Sequence, residues 1–220
     1  MILTDDQGVQ VMQVLRRMYP DATCTLEHLD PWQLMVGAIL AAQCTDARVN
    51  LITPALFDRF PDAAAMAGAS QAEVEDLIRS CGLFRNKARA IIGASQAIIE
   101  RHGGVMPDCL DALLDLPGIG RKIANLILGD SFGIPAVVVD THCARISHRI
   151  GLTERDDPPG IEKDLMKVLP RTDWTDYGHL VVTHGRTLCM ARQPQCDSCS
   201  LASLCRYALE RTRADAGSHA

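Results

Sequence analysis

The sequence has almost none of the apolar–polar alternation that a half-buried strand requires. Its one β-like run, Ala136–Val139, is too short to make a sheet, so an all-α fold is expected. Aromatic residues make up only 4 % of the chain, which leaves Leu, Ile, Val, Ala and Met to build the core. No apolar run is long enough to cross a bilayer. Residues Met1 to Leu15 show neither the basic nor the apolar stretch of a secretory signal, so a reducing cytoplasm is the expected setting. Internal repeats, low-complexity tracts and long linkers are also missing. So is an excess of basic charge. Twenty-two Lys and Arg face 27 Asp and Glu, a formal net charge of −5, which excludes indiscriminate attachment to polyanions but leaves room for a local basic face.

Helical periodicity takes up most of the 220 residues, which suffice for one large domain or two small ones. Thr4 can cap a first helix to about Met18. Asp30 and Pro31 read as N-cap and first helical residue of an apolar helix to about Ala42. Asp46 to Phe60 follows, with Pro54 either kinking it or lying in its first turn. Ser70 and Glu73 form a capping-box pair, and Gly82 is expected to end that helix. Further helices are expected at Asn86–His102, Asp108–Asp115, Arg121–Ser131, Asp140–Ile150, Pro158–Val168 and Trp174–Leu188. The polar residues 211–220 read as a disordered tail. Basic residues gather at Arg79–Arg101 and Arg121–Arg149; each stretch alone reads as a solvated helix face.

Four of the nine cysteines crowd near the C-terminus. Cys189, Cys196, Cys199 and Cys205 stand as C-x6-C-x2-C-x5-C, a spacing from which four thiolates can converge on one centre. Tetrahedral zinc and an iron–sulfur cluster are both open on this evidence. Zinc sites usually use two close pairs, and only Cys196 and Cys199 form one, so the uneven arms favour the larger cluster. The other five, Cys24, Cys44, Cys81, Cys109 and Cys143, are scattered.

The second distinctive segment is Leu116-Pro117-Gly118-Ile119-Gly120-Arg121-Lys122. Two glycines permit a tight turn just before a helix N-terminus, where exposed N–H groups and the positive dipole end suit a phosphate. Leu113, Leu116, Ile119 and Ala124 are placed to tie the flanking helices together. Lys122 by itself reads as a surface lysine. Yet the first turn of a helix disfavours a cation, and Arg121 beside it adds repulsion. Both effects favour the free amine, a nucleophile able to form a Schiff base. Asp140, in Val139-Asp140-Thr141-His142, reads as an N-cap carboxylate. Held by backbone N–H groups, it can also face a developing positive charge.

Taken together, these segments resemble the endonuclease III family, bifunctional DNA glycosylase/lyases of the helix-hairpin-helix superfamily. The resemblance runs from about residue 5 to residue 207. It rests on Leu116–Lys122, Val139–His142, His184-Gly185-Arg186 ahead of Cys189, the four-cysteine loop, Ala42-Gln43-Cys44-Thr45-Asp46 and Gly82-Leu83-Phe84. It implies two helical domains with a DNA cleft between them. One is a six-helix domain over about 22–134 that carries the hairpin; the other, 1–21 plus 135–210, holds a 4Fe-4S cluster on Cys189, Cys196, Cys199 and Cys205. It also implies that Lys122 is the nucleophile and Asp140 the catalytic carboxylate. Gln43 would fill the gap left by an extruded nucleotide, Leu83 would wedge the opposite strand, and His142 would line the pocket. Gly118, Gly120 and Arg121 would contact the backbone of double-stranded DNA bearing damaged bases or abasic sites. A monomer acting on the nucleoid, with oxidised pyrimidines as substrates, is the matching expectation.

Two departures stand out. Cys44 and Cys143 occupy positions where the family usually has small or apolar residues, each beside a proposed site residue. Two buried thiols are the plain reading, and a redox-sensitive site the alternative. Among rival functions, a monofunctional adenine glycosylase is opposed by Lys122 and by the short stretch after the cysteines, which leaves no room for a further domain. A non-catalytic DNA-binding or redox-sensing module leaves Lys122 and Asp140 unexplained.

Overall fold

The computed structural model describes residues 4–217. Among them every regular element is helical, and Ala136–Val139 is extended without pairing into a sheet. The chain divides by its contacts into two compact units, residues 24–134 and residues 1–23 with 135–220.

The unit of residues 24–134 contains α2 (Pro31–Leu40), α3 (Asp46–Arg59), α4 (Ala63–Ala67), α5 (Gln71–Leu77), α6 (Phe84–His102), α7 (Leu110–Leu114) and α8 (Arg121–Phe132). Helix α2 is its hub. It starts as expected, with the Asp30 carboxylate accepting from Gln33 N and Pro31 in the first turn. Every residue from Trp32 to Leu40 is buried, the mark of a helix surrounded by protein. It packs on α3, α6 and α8, and the Trp32 indole N–H donates to Ser95 Oγ at 3.0 Å inside the α6 contact. Pro54 lies inside α3 and not in its first turn. The unit has seven helices where six were expected. The extra one is α4, five residues long, started by the Asp62 carboxylate on Ala65 N and packed on α6.

Helix α5 also departs from expectation. It stops at Leu77, with Ile78 as its cap, four residues before Gly82. The left-handed residue in this stretch is Leu83, at φ 59°, and it begins α6. The end of α6 follows the rule, with Gly103 in the left-handed conformation.

The other unit contains α1 (Asp5–Met18), α9 (Thr141–Ile150), α10 (Pro158–Val168), α11 (Trp174–Thr187) and α12 (Arg206–Gly217). Val11, Met12 and Leu15 of α1 meet Ile146, Ile150, Leu165, Tyr177 and Val181 in one core. Helix α1 lies so close to the end of α10 that a Cβ on Gly8 would stand only 2.0 Å from Val168 O. Arg16 fixes the other side of α1 by reaching Asp173 at 3.0 Å and Asp176 at 2.7 Å. Helix α12 corrects the expected disordered tail. Residues 211–217 continue its turns, and 218–220 lie outside the described residues. Polar composition suggested disorder there, but Arg211, Arg213, Ala214 and Ala216 are good helix formers that follow directly on Ala208, Leu209 and Glu210. No described helix is long and apolar enough to cross a membrane.

Candidate active site and cysteine centre

The hairpin between α7 and α8 uses its two glycines differently. Gly118 has φ 78°, and a Cβ there would lie 2.6 Å from Ala90 Cβ on α6. Conformation and close approach both demand glycine. Gly120 is extended, at φ −97° and ψ 171°, and is the N-cap of α8 with no side-chain cap. Nothing stands within 4 Å of where its Cβ would be. The cap residue thus offers the first N–H groups of α8 no acceptor and leaves space in front of them, which suits an oxyanion. Leu113, Leu116, Ile119 and Ala124 are buried and lock the hairpin, as their spacing suggested. Arg121 and Lys122 are the first two residues of α8, and both are exposed.

Gln43 and Leu83 lie in the same unit as the hairpin. They are the two described non-glycine residues with positive φ, 55° and 59°. Each costs about 1–2 kcal/mol relative to ordinary backbone. Both side chains are exposed, Leu83 by 54 %. Their turns meet, since a Cβ on Gly82 would stand 3.8 Å from Gln43 O, and Cys44 and Cys81 place their sulfurs 3.7 Å apart. An unexpected residue steadies this place. Lys87, counted above within a solvated basic stretch, is only 4 % exposed and donates from Nζ to Leu40 O at 2.8 Å. A cation there complements the C-terminus of α2 just ahead of the Gln43 turn. The signal was present, because Lys87 precedes Ile91 by four residues and Ala94 by seven, on the buried stripe of α6.

Asp140 belongs to the other unit, where it is half-buried and caps α9 by accepting from Cys143 N at 2.7 Å. Beside it the half-buried His142 sets Nδ1 3.2 Å from Arg145 Nη2. This arrangement depends on Gly185 of α11, where a Cβ would stand 2.4 Å from His142 Nδ1 and 2.7 Å from Arg145 Nη2. Glycine in His184-Gly185-Arg186 is therefore what admits the His142 and Arg145 side chains against α11.

Cys189, Cys196, Cys199 and Cys205 line one pocket together with Arg149, His184 and Tyr207. Arg149 and Arg145, read above as part of a basic surface, turn inward to this loop. Arg149 donates to Cys189 Sγ at 3.3 Å, Met190 O at 2.7 Å and Ala191 O at 2.7 Å, and Arg145 donates to Cys189 O at 3.1 Å. Arg206 reaches Glu154 at 3.2 Å and His148 O at 3.0 Å. His184 is buried, with Nδ1 2.9 Å from the Tyr19 hydroxyl and Nε2 3.9 Å from Cys199 Sγ. Burial, aided by Arg145, pushes its imidazole down to about 4, so it is neutral near pH 7.

The pocket also tests what the cysteines fit. Among the described residues, no three His, Cys, Asp or Glu side chains converge tightly enough for a single ion. The four thiols nevertheless share a pocket whose charged neighbour is a guanidinium donor aimed at sulfur. A polynuclear cluster spreads its ligands over several irons, and four half-buried cysteines, one of them hydrogen-bonded by an arginine, suit it.

Comparison with known proteins decides the family. The profile described as HhH-GPD superfamily base excision DNA repair protein matches residues 36–171. Endonuclease III of Synechocystis sp. is 50 % identical over 200 residues, which cover 90 % of this chain and 91 % of that protein. The chain belongs to the endonuclease III family. Endonuclease III of Bacillus subtilis is 42 % identical over 197 residues, 89 % of this chain and 90 % of that protein. A solved structure of a trapped endonuclease III–DNA covalent intermediate superposes with a TM-score of 0.89 at 40 % identity, covering 96 % of this chain and all of that one. A non-covalent endonuclease III–DNA complex gives the same score at 41 % identity and the same coverage.

Proposed function

We infer that the protein excises damaged bases from double-stranded DNA and then cleaves the strand at the abasic site, as a DNA glycosylase with AP lyase activity. Family membership carries the reaction class. The residue assignment rests on one observation above all, the glycine-capped start of α8 with Lys122 in its first turn.

In this proposal a phosphate docks on the N–H groups behind Gly118 and Gly120, with Arg121 adding charge. The damaged nucleotide leaves the stack, Gln43 fills the vacated space and Leu83 supports the opposite strand. The left-handed backbone of both residues supports this assignment, since strain of that kind gathers at working sites. Lys122 Nζ attacks C1′, and the C1′–base bond breaks with its electron pair leaving on the base, which takes up a proton. Asp140 is required to face the same sugar and to stabilise its positive charge. Loss of the amine proton and opening of the C1′–O4′ bond give an imine. The imine acidifies the C2′ hydrogens, and removal of one expels the 3′ phosphate oxygen. Water then hydrolyses the imine and restores Lys122. His142 is assigned to the base pocket and oxidised pyrimidines to the substrate class.

Cys189, Cys196, Cys199 and Cys205 are proposed to hold a 4Fe-4S cluster in a domain of residues 1–21 and 135–210, with the hairpin in a domain of residues 22–134. When bound, the cluster supplies a rigid cross-link for the loop and takes no part in the covalent steps. The protein is proposed to act as a monomer on the nucleoid in the cytoplasm. Borohydride reduction in the presence of an abasic duplex tests the reading. A covalent adduct that is lost in Lys122→Ala is expected, and no adduct with the intact protein overturns it. A broad absorption band at roughly 400 nm in freshly purified protein, absent from Cys199→Ser, is expected for the cluster.

A further inference from the structure

The turns that carry Gln43 and Leu83 are joined by a contact that the repair chemistry does not use. Cys44 follows Gln43 directly, and Cys81 stands two residues before Leu83. Their sulfurs are 3.7 Å apart, Cys81 fully buried and Cys44 partly exposed. Each lies in a short turn closed by one backbone bond, Cys44 N to Ala41 O at 3.1 Å and Cys81 N to Ile78 O at 2.8 Å. Cys143, the other departure from the family pattern, lies against Ser147 Oγ at 3.9 Å. A solitary buried thiol is inert, whereas two in contact, one of them reachable from solvent, form a dithiol.

We propose that Cys44 and Cys81 are a redox-active pair, oxidised by hydrogen peroxide to a disulfide that weakens DNA binding by pinning the Gln43 and Leu83 turns together. The effect on DNA rests on the repair reading given above; the disulfide itself does not. Cys44 is the sulfur that peroxide reaches first. Its thiolate attacks the peroxide, the O–O bond breaks, an S–O bond forms, and one water leaves. Cys81 then attacks the Cys44 sulfur, the S–S bond forms, the S–O bond breaks, and a second water leaves. Two thiols are thus oxidised and one peroxide is reduced to two waters. Burial, reinforced by the neighbouring Cys44, pushes the Cys81 thiol up to about 11, while Lys87 and Arg48 act in the opposite direction. Cys81 therefore rests as a thiol, with the buried Lys87 ammonium at hand when its proton leaves.

Bond formation draws the sulfurs from 3.7 Å to about 2.05 Å and the two turns with them. Gln43 and Leu83 already occupy left-handed backbone within two residues of a sulfur, so neither turn has slack to keep its shape when the other moves. A wedge and a gap-filler that must adjust to a duplex lose that freedom.

The test uses cluster-containing protein titrated with hydrogen peroxide, with the 400 nm region monitored so that only samples with an intact band are compared. Peptide mapping without reductant is expected to find the segments of Cys44 and Cys81 linked. Affinity for an abasic duplex is expected to fall by about tenfold or more and to return with dithiothreitol. Cys44→Ser should keep its affinity through the same treatment. In Cys81→Ala, Cys44 should accumulate as a sulfenic acid that dimedone traps. No linked peptide in the oxidised intact protein, or a linked peptide with unchanged affinity, overturns the proposal. Failure of the repair reading has a separate signature, the absence of a borohydride adduct in the fully reduced protein, and leaves the peptide map to judge the disulfide.

Discussion

Helices α8 and α9 carry the proposed nucleophile and the proposed carboxylate, and their N-termini are finished differently. Helix α9 begins behind Asp140, whose side chain accepts from Cys143 N. Helix α8 begins behind Gly120, which has no side chain to offer and open space in front. Both starts present the donor groups that every helix leaves unpaired within itself. At α9 the chain answers them with its own carboxylate, whose position is thereby fixed by the Cys143 N–H. At α8 the cap residue supplies no side chain, and Lys122 lies in the first turn; in the proposed reading an anion from outside takes the place of the cap. One terminus positions a charge; the other is proposed to receive one.

Substitutions at the two termini should separate these roles. Lys122→Ala should reduce strand cleavage at least about a thousandfold in single-turnover assays. Because Lys122 is exposed, the same variant should unfold within about 0.5 kcal/mol of the parent. Asp140→Asn keeps a good capping residue and removes the charge, so base release should slow about a hundredfold while stability holds. Asp140→Ala should add a loss of about 1 kcal/mol in urea unfolding, and equal instability of the two variants would mean that the charge and not the cap holds α9. Gly118→Ala should cost about 1–3 kcal/mol through its left-handed backbone and the contact with Ala90, with DNA binding falling in step. Gly120→Asp copies the α9 solution onto α8. It should stabilise the fold by a few tenths of a kcal/mol, about the difference between Gly and Asp at an N-cap, yet weaken duplex binding at low salt by about tenfold. Unchanged binding in that variant would break the contrast between the two ends.

The sequence made some of this legible and hid the rest for identifiable reasons. The Asp140 cap and the Gly118 turn could be read because each uses its residue type's own chemistry in place. The left-handed residues could not. The glycine rule pointed at Gly82 as the helix stop, and the structure puts the positive φ one residue later, on a leucine. A leucine held there answers to tertiary packing, which local propensity does not register. Lys87, Arg145 and Arg149 were read as surface charge because lysine and arginine usually are. Their inward course depends on acceptors far along the chain, Leu40 O for Lys87 and the carbonyls of residues 189–191 for the arginines. Helix α4 escaped because five residues are too few for a period to show. The pairing of Cys44 with Cys81 was invisible for the same reason as the lysine's partner, since 37 positions separate the two thiols.

Helix α1 packs against α10 and α11, yet the whole unit of residues 24–134 intervenes between them in the chain. A ribosome delivers α1 before the intervening unit, and α10 and α11 after it. At about 5–20 residues per second, the amphipathic helix waits several seconds with Val11, Met12 and Leu15 unsheltered while the intervening unit is made and folds. During synthesis, the apolar face of α1 therefore stays open to other contacts until α10 and α11 supply the shelter that ends the wait.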